Sequence, residues 1–227
     1  MVTLVPETKQ PAMLWLLSFN GGFVDTAGFI GLQGLFTAHV TGNFVTLGAA
    51  LVFGTKGVVA KLIALPEFMA VIAIAHLAGS VLTARGLPTL RIMLVGKVLF
   101  LIAFFVLAVT LGPFPDSDAP PALMTGFCGI AAMALQNGIQ RVHLTHLPPT
   151  TLMTGNTTQV VLDAVDLLMG RGDQAAMRAR FGRMSASIVG FAAGCAVAAL
   201  LYAFAGFWCL CVPVAVGGVT TIMRAHD

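Results

Sequence analysis

Asp25 stands near the middle of the first long apolar run of the chain. Acids at such a depth are rare, because placing one at the centre of a membrane helix costs about 2.5 to 3.5 kcal/mol on insertion scales, and the usual reason for keeping one is to bind an ion or carry a proton. Two other stretches carry chemistry by their spacing. The triplets Thr41-Gly42-Asn43 and Thr154-Gly155-Asn156 lie 154 − 41 = 113 residues apart, and each opens an apolar run too short to cross a bilayer. A helix that begins inside a membrane leaves its first backbone N–H groups without partners, at several kcal/mol each in hydrocarbon. Thr and Asn are residue types that cap such ends, and Asn156 with Gln159 three positions on resembles a capping box. Gly42 and Gly155 admit unusual dihedrals or a close backbone neighbour. Two such helix starts facing one another would aim their positive ends at the membrane centre, where an anion or a polarised group would bind.

Asp25, Thr41, Gly42, Asn43, Asn137, Thr154, Gly155 and Asn156 therefore form the candidate substrate-binding set. Asn20, His39, Gln136 and Gln140 are candidates for pore lining or proton relay, with interhelical hydrogen bonding as their plainer role. Lys97, inside a span, is expected to snorkel toward the cytoplasmic face. Asp163 and Asp166 end the second short run, with Asp163 in reach of a cytoplasmic vestibule. No Gly-rich phosphate loop, nucleophile elbow or zinc spacing occurs. His143 and His146 lack nearby acids at ligand spacing, so no metal is expected. No cofactor is expected either, and the protein is not expected to be an enzyme. Cys128, Cys195, Cys209 and Cys211 all lie in apolar segments and are expected to be packing residues.

Composition sets the frame in which these residues act. Of 227 residues, 58% are hydrophobic and only 9% charged, with a mean hydropathy of +0.94. A soluble domain carries roughly a quarter charged residues. The chain reads as an integral membrane protein whose partner is the lipid bilayer. The net charge of +3 is spread over short loops and forms no continuous patch, so nucleic acid is not expected as a partner. The N-terminal apolar stretch resembles a signal-peptide core but continues to Leu35 without a convincing cleavage site, so it is taken as a first span.

The elements follow in order. Spans are expected at residues 11–31, 66–84, 92–111, 122–143, 184–203 and 205–223, each near the 20 or so apolar residues a crossing needs. Two half-helices are expected at 41–53 and 154–169. Residues 58–65 read as an interfacial stretch before Pro66, and 170–183 as a basic polar connector. The order divides one transmembrane domain, 1–227, into repeat one (11–111), a Pro-rich loop (112–121) and repeat two (122–223). The small-residue pairs Ala75/Gly79 and Gly190/Gly194 recur at an offset of 115 and signal close helix packing; Asp25 falls opposite Asn137 or Gly138.

If each short helix leaves by the face it entered, Lys9, Arg85, Arg91, Arg141, Arg171, Arg178, Arg180, Arg183 and Arg224 fall on or near one side. Lys56, Lys61, Asp116 and Asp118 fall on the other. The positive-inside rule then places both termini in the cytoplasm. Three spans per half invert the second half relative to the first, the plan of many transporters. The expected fold is all-α, with six transmembrane helices and two re-entrant half-helices in two inverted-topology repeats.

The segments Gly22-Phe23-Val24-Asp25-Thr26-Ala27-Gly28-Phe29 and Phe36-Thr37-Ala38-His39-Val40-Thr41-Gly42-Asn43 resemble the signature of the YoaK-like family. So do Ala134-Leu135-Gln136-Asn137 and Met153-Thr154-Gly155-Asn156. The resemblance covers nearly the whole chain. It implies a bacterial inner-membrane protein with about six spans and adds no substrate.

The expected function is a small secondary transporter or channel-like permease for a small polar or anionic solute, with proton coupling through Asp25 as its more specific form. The alternatives are a structural or interaction protein of the membrane, in which the triplets only cap broken helices, and an intramembrane enzyme. A homo-oligomer fits the class of small pore proteins without being fixed by any residue.

Overall fold

A computed structural model describes residues 10–223, and Lys9 and Arg224 lie outside the described residues. The described chain is helical, without strands. Helix α1 is Gln10–Gly31, α2 Gly42–Phe53, α3 Val58–Ala84, α4 Thr89–Leu111, α5 Pro120–His143, α6 Met153–Leu168, α7 Gln174–Ala205 and α8 Cys211–Met223, with a 3-10 turn at Gly206–Leu210 between the last two. Pro120 and Pro121 begin α5, where a missing N–H leaves no intrahelical bond unmade. Gly54, at φ 64°, ends α2 in the left-handed conformation that favours glycine. Asp173 caps α7 by accepting from the amides of Ala175 and Ala176, each at 3.0 Å. Asp118 does the same for α3 from the far side of the sequence, accepting from Gly57 N at 3.1 Å and Ala60 N at 2.9 Å.

Among the described residues, five helical segments are long and apolar enough to cross a membrane, the last being the continuous stretch Gln174–Met223. That stretch cannot be one crossing: 50 helical residues extend about 75 Å against a hydrocarbon core of about 30 Å. The 3-10 turn divides it, beginning at Gly206, whose φ of 54° only glycine adopts readily. Both pieces then return to α1, which packs against α7 along most of its length and against α8 as well. These are the features of a multi-pass membrane protein.

Small residues let α1 and α7 approach. A Cβ at Gly22 would fall 2.1 Å from the Phe191 carbonyl oxygen, and one at Gly194 would fall 2.1 Å from that of Phe19. The Gly190/Gly194 pair thus does what its spacing predicts. The central core joins Phe23, Val24 and Ala27 of α1 to Phe104 of α4 and Ala132 of α5.

The principal neighbours of α1 are α7 and α8, and those of α5 are α3 and α4. Likewise α2 packs on α3 and α6 on α7.

Several boundaries differ from expectation. Residues 58–65 are not a separate interfacial stretch: α3 runs unbroken through Pro66, which gives up one backbone bond while apolar side chains on both sides keep the helix in register. The connector 170–183 is mostly helix, because α7 starts at Gln174 under its Asp173 cap. The last element is a 3-10 turn plus a 13-residue helix. Lys97 does not snorkel. It is fully buried, and its Nζ has no hydrogen-bond partner among the described residues, since α4 turns the Leu94, Lys97, Leu101 and Phe104 face inward.

Candidate functional site

The link of residues 32–41 between α1 and α2 carries no regular helix, so its backbone amides need partners from elsewhere. Asp25 supplies them from six residues before the end of α1. Its Oδ1 accepts from Ala38 N at 2.7 Å, Thr37 N at 2.8 Å and His39 N at 3.3 Å, and from Thr37 Oγ1 at 3.5 Å. Its Oδ2 meets His39 Nδ1 at 2.7 Å. The acid is thus the staple that holds the link against α1, and its donors come from the first half, not from capping groups of the second.

His39 lies outside the spanning helices. Its hydrogen bond to the Asp25 carboxylate holds the imidazole above its ordinary pKa; burial opposes that shift and the carboxylate's charge adds to it. Its ring also meets Phe191 of α7 edge-on, with centroids 5.4 Å apart.

The triplets do not cap their helices. Thr41 precedes α2 with its side chain making no cap bond, and α6 likewise starts without one after Leu152. Asn43 and Asn156 lie inside the first turns and reach backward. Asn43 Nδ2 donates to the Phe36 carbonyl at 2.9 Å, while its Oδ1 accepts from Phe36 N at 2.8 Å. Asn156 Nδ2 donates to the Pro149 carbonyl at 2.8 Å and to Ser187 Oγ at 3.4 Å. Both amides therefore tie the helix to a carbonyl seven residues upstream. The capping box at Asn156 is absent because Gln159 donates to Asp163 Oδ1 at 2.7 Å. Asp163, buried, is engaged by Arg180 of α7 through Nε at 2.9 Å and Nη2 at 2.5 Å.

A second parallel appears at the staple. Asp25 pairs with His39, 14 residues on; Asn137 Oδ1 accepts from Thr151 Oγ1 at 2.7 Å, also 14 residues on. Both partners shift by the same offset, 137 − 25 = 112 and 151 − 39 = 112. Gln136 and Gln140 brace the second link through Thr150 Oγ1 at 3.1 Å and the Pro148 carbonyl at 2.6 Å. Asn20 donates to the Pro213 carbonyl at 3.3 Å. These three amides are interior supports.

Two cavities flank the first link. One, of about 330 Å3, lies between the link, α3 and the end of α5; its polar wall is His39, Thr41, His76, Asn137 and Arg141, and Leu65, Phe68, Ile72, Met93 and Leu152 make most of the rest. The other, of about 450 Å3 and more open, lies between α1 and α7, lined by Asp25, Thr26, Phe29, Phe36, His39, Thr41, Gly42, Phe191 and Cys195. His39 and Thr41 belong to both walls. Thr154, Gly155 and Asn156 line neither.

A family model described as a protein of unknown function, DUF1275, matches residues 13–223. The chain belongs to the DUF1275 family. The YoaK-like signature read from the sequence falls within this DUF1275 match. No curated protein and no solved structure matches this DUF1275 chain.

The sequence reading passed over three residues of this DUF1275 protein. His76 was one apolar-run residue among many, yet it lines the first cavity. Arg141 counted only toward orientation, yet it lines the same wall. Glu67, directly after Pro66, holds a buried Oε1 without a hydrogen-bond partner among the described residues, beside an apolar cavity of about 370 Å3 bounded by Ile63, Leu107, Met124, Phe127 and Cys128. Its signal was available: an acid within a stretch long enough to cross a bilayer.

Proposed function

We propose that this protein is a small secondary transporter or channel-like permease of the bacterial inner membrane, coupled to protons through the Asp25–His39 pair. The observation that carries the reading is the position of His39. An imidazole paired to a buried acid at 2.7 Å lines two cavities beside one link. An imidazole in that place can change its protonation as solute passes, which is the minimum a coupled pathway needs.

The topology that goes with this reading has six crossings, α1, α3, α4, α5, α7 and the 3-10 turn with α8, and both termini in the cytoplasm. Helices α2 and α6 re-enter: at about 18 Å and 24 Å they fall short of a core of about 30 Å. The exchanged packing of the halves and the two pairs of equivalent hydrogen bonds support an inverted repeat, with the pathway between the halves. Unlike the sequence expectation, the site so proposed centres on the links before α2 and α6, not on the helix starts. No enzymatic role is proposed.

The test is electrical and needs no prior substrate. Protein reconstituted in proteoliposomes on a solid-supported membrane is pulsed with a panel of amino acids, organic acids, sugars and nucleosides, at matched pH and across a pH step. Solute-evoked currents in wild type that lose their pH dependence in Asp25→Asn support the reading. Absence of current and of radiolabelled uptake for the whole panel removes it.

A further inference from the structure

The two cavities that share His39 draw their helical walls from corresponding positions of the two halves, and those walls differ in charge. The offset of 112 that carries Asp25 to Asn137 carries Phe29 to Arg141, since 29 + 112 = 141, and the offset of 115 that relates the small-residue pairs carries His76 to Phe191. Asp25, Phe29 and Phe191 line the α1–α7 cavity, and Asn137, Arg141 and His76 line the other. Where one wall has an acid and two phenyl rings, its counterpart has a neutral amide, a guanidinium and an imidazole.

Arg141 is the group that decides what the second wall can hold. It has no carboxylate partner among the described residues, and no carboxylate lines the cavity. A guanidinium offers a planar fork of donors matched to a two-oxygen anion. The rest of the wall is aliphatic and aromatic, from Leu65, Phe68, Ile72 and Met93. A bare inorganic ion would leave that surface unused, and a cavity of about 330 Å3 has the size of a metabolite site.

We infer that the cavity between the first link, α3 and the end of α5 binds a small organic carboxylate with an apolar body, its carboxylate on the Arg141 guanidinium and its body against Leu65, Phe68, Ile72 and Met93. The inference deepens the transport reading and rests on it only for the step of translocation; binding stands by itself. Asn137 and His39 line the same cavity, so the anion site shares its wall with the proposed proton-carrying pair.

The experiment is a thermal-melt titration of the full chain in detergent micelles and in nanodiscs. Phenylacetate is the probe, phenylacetamide removes the charge, acetate removes the body, and palmitate supplies the same head from a lipid source. Phenylacetate, palmitate or both raise Tm with concentration, by the mass-action rule for a ligand of the folded state, while phenylacetamide and acetate do not. Whichever acid acts identifies a free solute or a membrane lipid as the source. Arg141→Gln weakens that effect at least tenfold and Arg141→Lys only in part, with the ligand-free melt of each showing that it folds. The inference is overturned if neither acid shifts Tm, if the amide or acetate acts as well as the acids, or if Arg141→Gln binds like wild type. Failed binding with solute currents intact sinks this inference alone; binding with no current for any solute sinks the transport reading and leaves the site.

Discussion

Asn43 and Asn156 hold equivalent posts: each turns its side-chain amide from the first turn of a short helix to a carbonyl seven residues upstream, at 2.9 Å to Phe36 and 2.8 Å to Pro149. Each closes the link that precedes its helix into a loop fixed at both ends. A buried carbonyl left without its donor carries its full desolvation cost.

Removing either amide should therefore loosen a link without touching a cavity wall. Asn43→Ala and Asn156→Ala each lower stability by about 1 to 3 kcal/mol, read as melting in detergent micelles. Asn43→Ala is the more severe, because the second bond of Asn43, accepted from Phe36 N at 2.8 Å, is shorter than that of Asn156 to Ser187 Oγ at 3.4 Å. A melt unchanged in both variants would show that the links are held by other means.

The Asp25–His39 pair gives the protein a pH dependence of definite sign. The His39 imidazole, held up by its carboxylate neighbour, gains a proton affinity on folding. The stability it contributes is fully present below the unfolded imidazole value of about 6.5 and is lost as pH rises through its higher folded value. Melting temperature of wild type thus falls as pH rises above about 6.5, and His39→Gln flattens that fall. Equal slopes in the two proteins would remove the pair as its source.

At the α1–α7 contact the prediction is steric. Gly22→Ala and Gly194→Ala place a methyl group about where a backbone oxygen already sits, so α1 and α7 must separate. Overpacking of this kind costs about 1 to 3 kcal/mol or more. Both variants melt well below wild type, whereas Gly155→Ala, with open space around it, melts within a degree or two of wild type.

Lys97 points the other way. A fully buried amine whose Nζ has no partner among the described residues is a liability to the fold, and Lys97→Met keeps its length without the polar head. The variant is more stable by about 1 to 4 kcal/mol, the gain seen when buried charges give way to apolar side chains. A lower Tm would mean that the amine has a partner supplied by water or solute.

Much of this was legible along the chain. Asp25 announced itself by standing in an apolar run, and Gly190/Gly194 announced a close contact by spacing. What could not be read was which groups would meet. Asn43 and Asn156 have the composition of caps, and only the fold of the links brings the Phe36 and Pro149 carbonyls within reach. Lys97 looked like a snorkelling residue because its rotation about α4 depends on which face α5 and α8 cover. Arg141 was read as a topological marker, since nothing in its neighbours in sequence reveals that α3 brings His76 and Phe68 beside it.

The burial of α1 between α7 and α8 also governs how the molecule is made. From Gly31, where α1 ends, to Gln174, where α7 begins, a ribosome working at about 5 to 20 residues per second needs roughly 7 to 30 s. Throughout that interval the nascent protein holds an unmated glycine-lined face in the bilayer. Premature termination anywhere before α7 leaves that face uncovered, so the packing of α1 is completed only when the last quarter of the polypeptide arrives.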